Sequence, residues 1–475
     1  MLEFVFLLPI VMGGAAFFLP VSLGRGILIV AALLHLQLTV MGWLGKLDPY
    51  FPDYFSSSPE GLLVLLVTSF IFLFISIYAI SYMNETEMQS EHIFISCMLL
   101  FLGTMSMVTL ADHPIVLWIA IEATTLVSAP LIFINRSKEA LEATWKYVLI
   151  CSVGIALALL GCFFITLAMD IKEIDAPLTF SSLNAVAGQL DPIWLKAGFI
   201  FIMIGFGTKM GLAPMHTWLP DAHSQAPSPA SALLSGALLN CAFLGIYKVH
   251  VLMHVAGLGA YSSNILIGFG LVSMFVAGIF ILNQPDYKRL LAYSSVENMG
   301  VIAIGVGIGG IALYGAILHL IHHSLIKSSL FLSAGNILLG FGSRLVKKTG
   351  NLARLFPKTF VAFFAGFAGV SGFPPFGIFI SELLIIMGAF QRGRFVVLAG
   401  FIFCLTLVFA GAARIVMRIS FANAGEDVLV EERMLRIIPS YVLLLTSIGL
   451  FLWMPETIFE VIIDTIKVLG GSVNG

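Results

Sequence analysis

From Leu2 to Ile463 the chain is a succession of apolar windows, each of roughly the twenty residues that carry an α-helix across a bilayer. They fall near 2–23, 26–45, 61–82, 93–111, 114–134, 145–169, 193–212, 229–252, 262–283, 290–308, 312–340, 359–390, 395–417 and 437–463. The pattern predicts an all-α integral membrane protein of about fourteen transmembrane helices, because only a helix or a closed barrel satisfies its backbone in lipid. Composition agrees: 59% of the 475 residues are hydrophobic and 11% are charged, against about a quarter charged in soluble chains. A net charge of −2 offers nucleic acid no basic surface. Polar interruptions run to about 20 residues, too short for a soluble domain of ~50 or more.

The stretch Leu2–Leu23 lacks a basic leading region and a cleavage site, so it reads as a retained first helix. The five cysteines stand singly in apolar runs, which argues against a cluster, a zinc site or a disulfide framework. Lys and Arg set the orientation. Odd-numbered loops carry Arg25, Arg136, Lys138, Lys288, Arg289, Arg344, Lys347, Lys348, Arg354, Lys358, Arg433 and Arg436, whereas even-numbered loops carry Lys46, Lys172, Arg392 and Arg394. The odd loops are expected in the cytoplasm and both termini outside. The acidic loop Glu85–Glu91 does not oppose this, because acidic residues weigh little in the bias.

Two windows are interrupted in corresponding places. The seventh breaks at LAPMHTWLPDAHSQAPSP and the twelfth at VSGFPPFGIFISE, with Lys209 before the first break and Glu382 after the second. Paired Pro/Gly-broken segments are the sequence mark of inverted repeats around a central site. Being an odd number of spans apart, they imply two inverted five-helix repeats. The expected division is 1–92 for helices one to three, 93–252 and 262–418 for the two repeats, and 419–475 for a loop and a fourteenth helix.

Ionisable groups inside membrane helices are costly and by default mark an ion pathway. Glu122 lies deep within VLWIAIEATTLVSAPLIF, and Lys209 ends an apolar helix just where the backbone breaks. Lys209 is the partner expected for Glu122, in a hydrated pocket supplied by the break. His319, His323 and Lys327 recur every four residues on one helix face, with His322 beside them. No Glu or Cys completes a metal site there, so the stripe reads as a proton relay, which suits imidazole. Glu382 follows the second break. His216, Asp221 and His223 decorate the first and read either as gate groups or as groups that support the path residues. Lys248 reads as snorkelling to an interface. Lys288 and Arg289 read as cytoplasmic anchors, with Lys288 also within reach of the interior.

The run KMGLAPMHTWLPDAHSQAPSPASALLSGALLN, with DYKRLLAYSSVENMG, HLIHHSLIKSSLFLSAG and GFPPFGIFISEL in order after it, resembles one family. It is that of the antiporter-like subunits of respiratory complex I, Mrp-type cation/proton antiporters and the membrane arms of energy-converting nickel–iron hydrogenases. The likeness covers residues 60–420, and within the family the chain most resembles the large subunit of formate hydrogenlyase-type hydrogenases. The resemblance implies that Glu122 and Lys209 form the central proton-transfer pair, with His319, His323 and Lys327 on the axis between half-channels and Glu382 on the second broken helix. One departure is Asn240, where quinone-reducing members carry Lys or His. An amide cannot titrate, so the bridge from Lys209 to the histidines is expected to rely on water, His319 or His323. The ending, with no lateral helix beyond span fourteen, reads as a core-only subunit.

The resulting expectation is a proton-translocating, non-redox subunit in the inner (cytoplasmic) membrane of a bacterium or archaeon. It has no cofactor of its own. Iron–sulfur clusters and a nickel–iron site belong to partner subunits, namely a soluble redox arm and other membrane-arm subunits. A Mrp-type antiporter subunit, with Na⁺ as a second ion, a complex I subunit and a scaffold that merely keeps the fold are the alternatives.

Overall fold

The computed structural model describes residues 1–86, 88, 90–423, 431–467 and 469. Parts of the acidic loop 85–91 and of the 419–475 segment lie outside the described residues. Among the described residues, twelve helical segments are long and apolar enough to cross a membrane, and three shorter apolar helices accompany them. Strand-like pairing is confined, among the same residues, to isolated bridges, Phe55 with Ala111 and Asp286 with Leu345.

Helix α1 (Phe4–Phe18) gives way to α2 (Val21–Trp43) at Pro20, so the first apolar window stops short of its expected end. The rods α3 (Pro59–Thr86), α4 (Glu91–Leu110), α5 (Pro114–Phe133) and α6 (Lys138–Asp170) follow. A short α7 (Phe180–Val186) precedes α8 (Pro192–Met210). Side-chain caps fix where several begin: Ser137 accepts from the Ala140 amide at 3.0 Å, and Asp191 from the Ile193 amide at 3.0 Å. Such caps satisfy amides that the first helical turn leaves free.

The first expected break is present. After Gly211 the chain re-enters helix as α9 (Trp218–Gln225), then α10 (Ser228–Leu233), a π-helical turn Leu234–Leu238, and α11 (Leu239–Val255). Next come α12 (Gly259–Ile281), α13 (Tyr287–Ile308), the unbroken α14 (Ile311–Phe341) and the short α15 (Leu352–Leu355). The second expected break separates α16 (Pro357–Val370) from α17 (Gly377–Gln391), ahead of α18 (Phe395–Phe421).

The last window needs correcting. Residues 437–463 are not one helix but the end of α19 (Met434–Leu452) and the start of α20 (Glu456–Lys467). Trp453 and Met454 kept the run apolar and hid a turn that Pro455 makes. The α20 helix is amphipathic, and its Thr465 carbonyl accepts from the Tyr247 hydroxyl of α11 at 2.6 Å.

Close helix approach sets the interior. A Cβ on Gly205 of α8 would meet the Gly154 carbonyl of α6 at 2.6 Å, so these helices touch backbone to backbone, as small residues permit in membranes. Large apolar side chains such as Leu126, Trp145, Val153 and Phe163 face outward, while Lys209, His319, His323 and Lys327 are wholly buried. The bundle is thus apolar toward lipid and polar along its centre. At one end Arg25 pairs with Glu91 at 2.8 Å, Arg433 with Glu85 at 2.9 Å, and Arg136 donates to Ser90 at 3.1 Å. At the other end the N-terminus binds the Asp48 carbonyl, and α20 packs beside Tyr247.

Candidate functional site

Lys209 sits in the last turn of α8, fully enclosed. Its ammonium donates to Thr125 Oγ1 at 2.8 Å and to Tyr147 Oη at 2.6 Å, and lies over the Tyr147 ring at 4.5 Å from its centroid. Ser128 lies 2.6 Å from the same Tyr147 hydroxyl, on the other side. The expected direct pairing with Glu122 is absent. Glu122 stands one helical turn before Thr125 on α5, where Oε1 accepts from Ser152 at 2.8 Å and Oε2 is enclosed without a protein partner. Lys209 and Glu122 are thus each held by neutral hydroxyls, Thr125 and Tyr147 for the one and Ser152 for the other.

In the break after Lys209, protein groups hold several of the freed backbone atoms. Trp218 Nε1 donates to the Thr208 carbonyl at 2.8 Å, the Ala213 amide to Ser273 Oγ at 2.9 Å, and the Leu212 amide to the Gly207 carbonyl at 2.9 Å. Among the gate candidates, Asp221 pairs with Lys146 of α6 at 3.1 Å and with Arg289 of α13. His216 packs near Tyr293 with Nδ1 unpartnered, and His223 stacks on Phe331 with both ring nitrogens unpartnered. Lys288 does reach inward, its ammonium donating to the Ala226 carbonyl at 2.6 Å.

On α14 the stripe is intact. His319 and His323 lie with rings 6.4 Å apart and nearly parallel. Asn240 Nδ2 donates to Ser324 Oγ at 2.7 Å, joining α11 to this helix, while its Oδ1 is unpartnered. His323 has no protein partner at either nitrogen. Lys327 donates to the Leu291 carbonyl of α13 at 2.8 Å. His322 faces elsewhere: its Nδ1 lies 2.9 Å from Ser447 Oγ on α19, away from the other members. Buried polar atoms are normally satisfied, yet His223, His323, Asn240 and Glu122 each keep at least one enclosed polar atom that no protein group partners.

Glu382 on α17 packs its carboxylate against Gly372, in the break between α16 and α17. It lines a cavity of about 50 Å³ together with Glu297, Ser294 and Ser371. Glu297, on α13 and 3% exposed, escaped the sequence reading. Its neighbour Asn298 donates to Glu297 Oε2 and presents Oδ1 to His319 Nε2 at 2.9 Å, while His319 Nδ1 lies 2.9 Å from Ser381 Oγ. An acidic residue inside an apolar helix was the signal available for it.

Lys248 is the clearest reversal. Rather than snorkelling, it is 4% exposed, donates to the Ala111 carbonyl at 3.0 Å, and lies 3.6 Å from Glu60 and 4.0 Å from Asp112. These groups line a cavity of about 370 Å³ between the ends of α3, α4 and α11, with Thr465 of α20 on its rim.

Among the described residues, no three His, Cys, Asp or Glu side chains gather into a metal-binding group. Comparison with known proteins places this architecture. Residues 111–408 match the transmembrane family described as NADH:quinone oxidoreductase/Mrp antiporter. A hydrogenase-4 component F homologue of Methylacidiphilum infernorum is 33% identical over 377 residues, covering 76% of this chain and 79% of that one. Hydrogenase-4 component B of Escherichia coli is 32% identical over 344 residues, 70% of this chain, and the match spans half of that longer relative. A subunit of an archaeal membrane-bound sulfane sulfur reductase shares the fold with a TM-score of 0.88 at 19% identity, over 99% of this chain and 98% of that one. The chain is a multi-pass integral membrane protein and belongs to the NADH:quinone oxidoreductase/Mrp antiporter transmembrane family of antiporter-like membrane subunits.

Proposed function

We propose that the chain is the proton-translocating, non-redox subunit of a hydrogenase-type membrane complex. In this reading, electron transfer in partner subunits drives protons along Glu122, Lys209, the α14 stripe and Glu382. The observation that carries the reading is the row itself: Lys209, His319, His323 and Lys327 wholly buried on α8 and α14, and Glu122 on α5 and Glu382 on α17 partly buried, with unpartnered polar atoms of Glu122, Asn240 and His323 among them. Burying so many charges stabilises nothing by itself, and in membrane helices such groups serve ion paths. Thr125, Tyr147 and Ser128 supply the hydroxyls that relay between Lys209 and the Glu122 turn. The hydrogenase relatives favour a redox partner of that kind, which would hold the iron–sulfur clusters and nickel–iron site.

The helices read as fourteen crossings, counting α8 with α9, α10 with α11, and α16 with α17 as single spans. Two inverted bundles, 93–252 and 262–418, account for the two breaks. The end gathering Arg25, Arg136 and Arg433 is the cytoplasmic one by the positive-inside bias, which puts the Lys248 end and both termini outside. The test is redox-driven proton pumping by vesicles of the intact complex, wild type against Lys209→Ala, with assembly checked on a native gel and one set free of Na⁺. Loss of pumping in an assembled complex supports the path. Unchanged pumping makes the chain a scaffold, and pumping that requires Na⁺ makes it a cation/proton antiporter.

A further inference from the structure

The geometry points to Glu297 as the carboxylate that carries the proton from Lys327 to Glu382, through the cavity that the two acids share. The inference rests on the proton path proposed above and adds a member that the row of sequence candidates lacks.

Without Glu297 the second half of the row has a gap. Lys327 is held by a backbone carbonyl, that of Leu291, and not by an acid. A carbonyl can hold a proton donor but cannot take its proton away. Leu291 also lines the small cavity, as do Glu297 and Glu382, so the lysine's anchor, the first acid and the second acid surround one space. About 50 Å³ is enough for a few waters. Glu297 and Glu382 are the acids that line this space. Glu297 is 3% exposed, so it faces this space and not lipid.

The neighbouring amide fixes how Glu297 is presented. Asn298 spends its nitrogen on the Ser294 carbonyl at 2.6 Å and on Glu297 Oε2, which leaves its oxygen toward His319. The Nε2 of His319 must then carry the hydrogen. Asn298 thus positions Glu297 relative to the histidine stripe without itself exchanging a proton. On the far side Gly372 leaves room for the Glu382 carboxylate, since a Cβ there would lie 2.3 Å from Glu382 Oε2.

The transfer balances. The Lys327 ammonium gives one proton to the Glu297 carboxylate, leaving a neutral amine and a neutral acid. The acid passes that proton to a cavity water, which gives one of its own to the Glu382 carboxylate. Glu297 returns to its ionised form, one proton has moved, and no electron has.

The experiment uses the intact complex in vesicles driven by its redox substrate and compares wild type, Glu297→Gln, Glu297→Asp and Lys209→Ala, with assembly read on native gels. Glu297→Gln is expected to assemble and to pump about tenfold slower or worse, while Glu297→Asp, which keeps a titratable group, recovers at least about half of the lost rate. The turnover-induced infrared signal of protonated carboxyls should lose one component in Gln, leaving those of Glu122 and Glu382, and show that component shifted in Asp. Should Gln fail to assemble, Glu297→Leu takes its place, filling the site without an unpaired amide. Wild-type pumping by Glu297→Gln beside a silent Lys209→Ala overturns the role of Glu297 and leaves the wider path standing. Gln and Asp variants equally slow, with the infrared signal intact, also overturn it, because shape and not proton exchange would then matter. Wild-type pumping by both Glu297→Gln and Lys209→Ala removes the path and Glu297 with it.

Discussion

The ammonium of Lys209 donates to the hydroxyl of Tyr147 at 2.6 Å, and the tyrosine's ring lies beneath the same charge. A buried cation is thereby held by a neutral, rotatable group that also touches Ser128 at 2.6 Å. Tyr147→Phe keeps the ring and removes the acceptor. A hydrogen bond to a charged group contributes about 1.5–3 kcal/mol, and a loss of that order at the transfer step slows it about tenfold or more. Pumping by Tyr147→Phe should fall accordingly while the complex assembles normally. A wild-type rate would assign the hydroxyl to packing alone.

Glu122→Gln separates charge from shape. The amide occupies the same volume and its oxygen still accepts from Ser152, which now lies 2.8 Å from Glu122 Oε1. Its –NH₂ takes the place of Oε2, which has no protein partner, so no existing hydrogen bond is broken. Assembly should be unchanged and pumping reduced at least about tenfold, within the range that a lost proton-transfer group commands. The measurement is the initial rate of acidification per redox turnover in vesicles, and equal rates would remove Glu122 from the path.

How much of this the sequence disclosed depends on distance along the chain. Lys209, Glu122 and the α14 stripe stood out because a charge or imidazole within an apolar window is visible locally. Thr125 and Tyr147 did not, since neutral residues acquire a role only when α5 and α6 are brought against α8, from 84 and 62 residues away. Lys248 was misread for the same reason: its partners Glu60 and Asp112 come from α3 and from the turn before α5, and an unpaired lysine near a helix end looks like a snorkelling one. Both breaks were evident from their prolines. The turn before α20 was not, because hydropathy registers Trp453 and Met454 but not the change of direction at Pro455. Glu297 was hidden among neighbours, Tyr293 to Asn298, whose polar character blurred one acid.

The N-terminal anchor gives a pH dependence. Burial pushes the Glu3 carboxyl up, but the amides of Phe51 and Tyr50, its own amide and the N-terminal ammonium outweigh burial and hold it below its ordinary value of 4.5. A carboxylate with a depressed folded value contributes stability that is fully present above the unfolded value and is lost as pH falls through the folded one. Amide-exchange protection at Tyr50 and Phe51 should therefore be level from pH ~8 to ~5 and decline below that. Glu3→Gln should weaken protection from pH ~8 to ~5 and make little difference in strong acid, where the wild-type carboxyl is itself neutral. Protection that persists into strong acid, or is indifferent to Glu3→Gln, would show that the loop is held by other contacts.

Gly372 and Gly393 make a matched pair for the second break. Both have positive φ, 70° and 64°, where an L side chain costs about 1–2 kcal/mol. A Cβ at Gly393 meets nothing within 4 Å, whereas at Gly372 it lies 2.3 Å from Glu382 Oε2. Gly372→Ala and Gly393→Ala should therefore lower the thermal inactivation temperature of the complex by similar amounts, since both carry the same backbone strain. Only Gly372→Ala also displaces the Glu382 carboxylate from the cavity that it shares with Glu297, so only that variant should lose pumping at permissive temperature. Equal pumping in the two would mean that the position of Glu382 in the break is without consequence for transport, and loss in both would assign the effect to strain in the backbone.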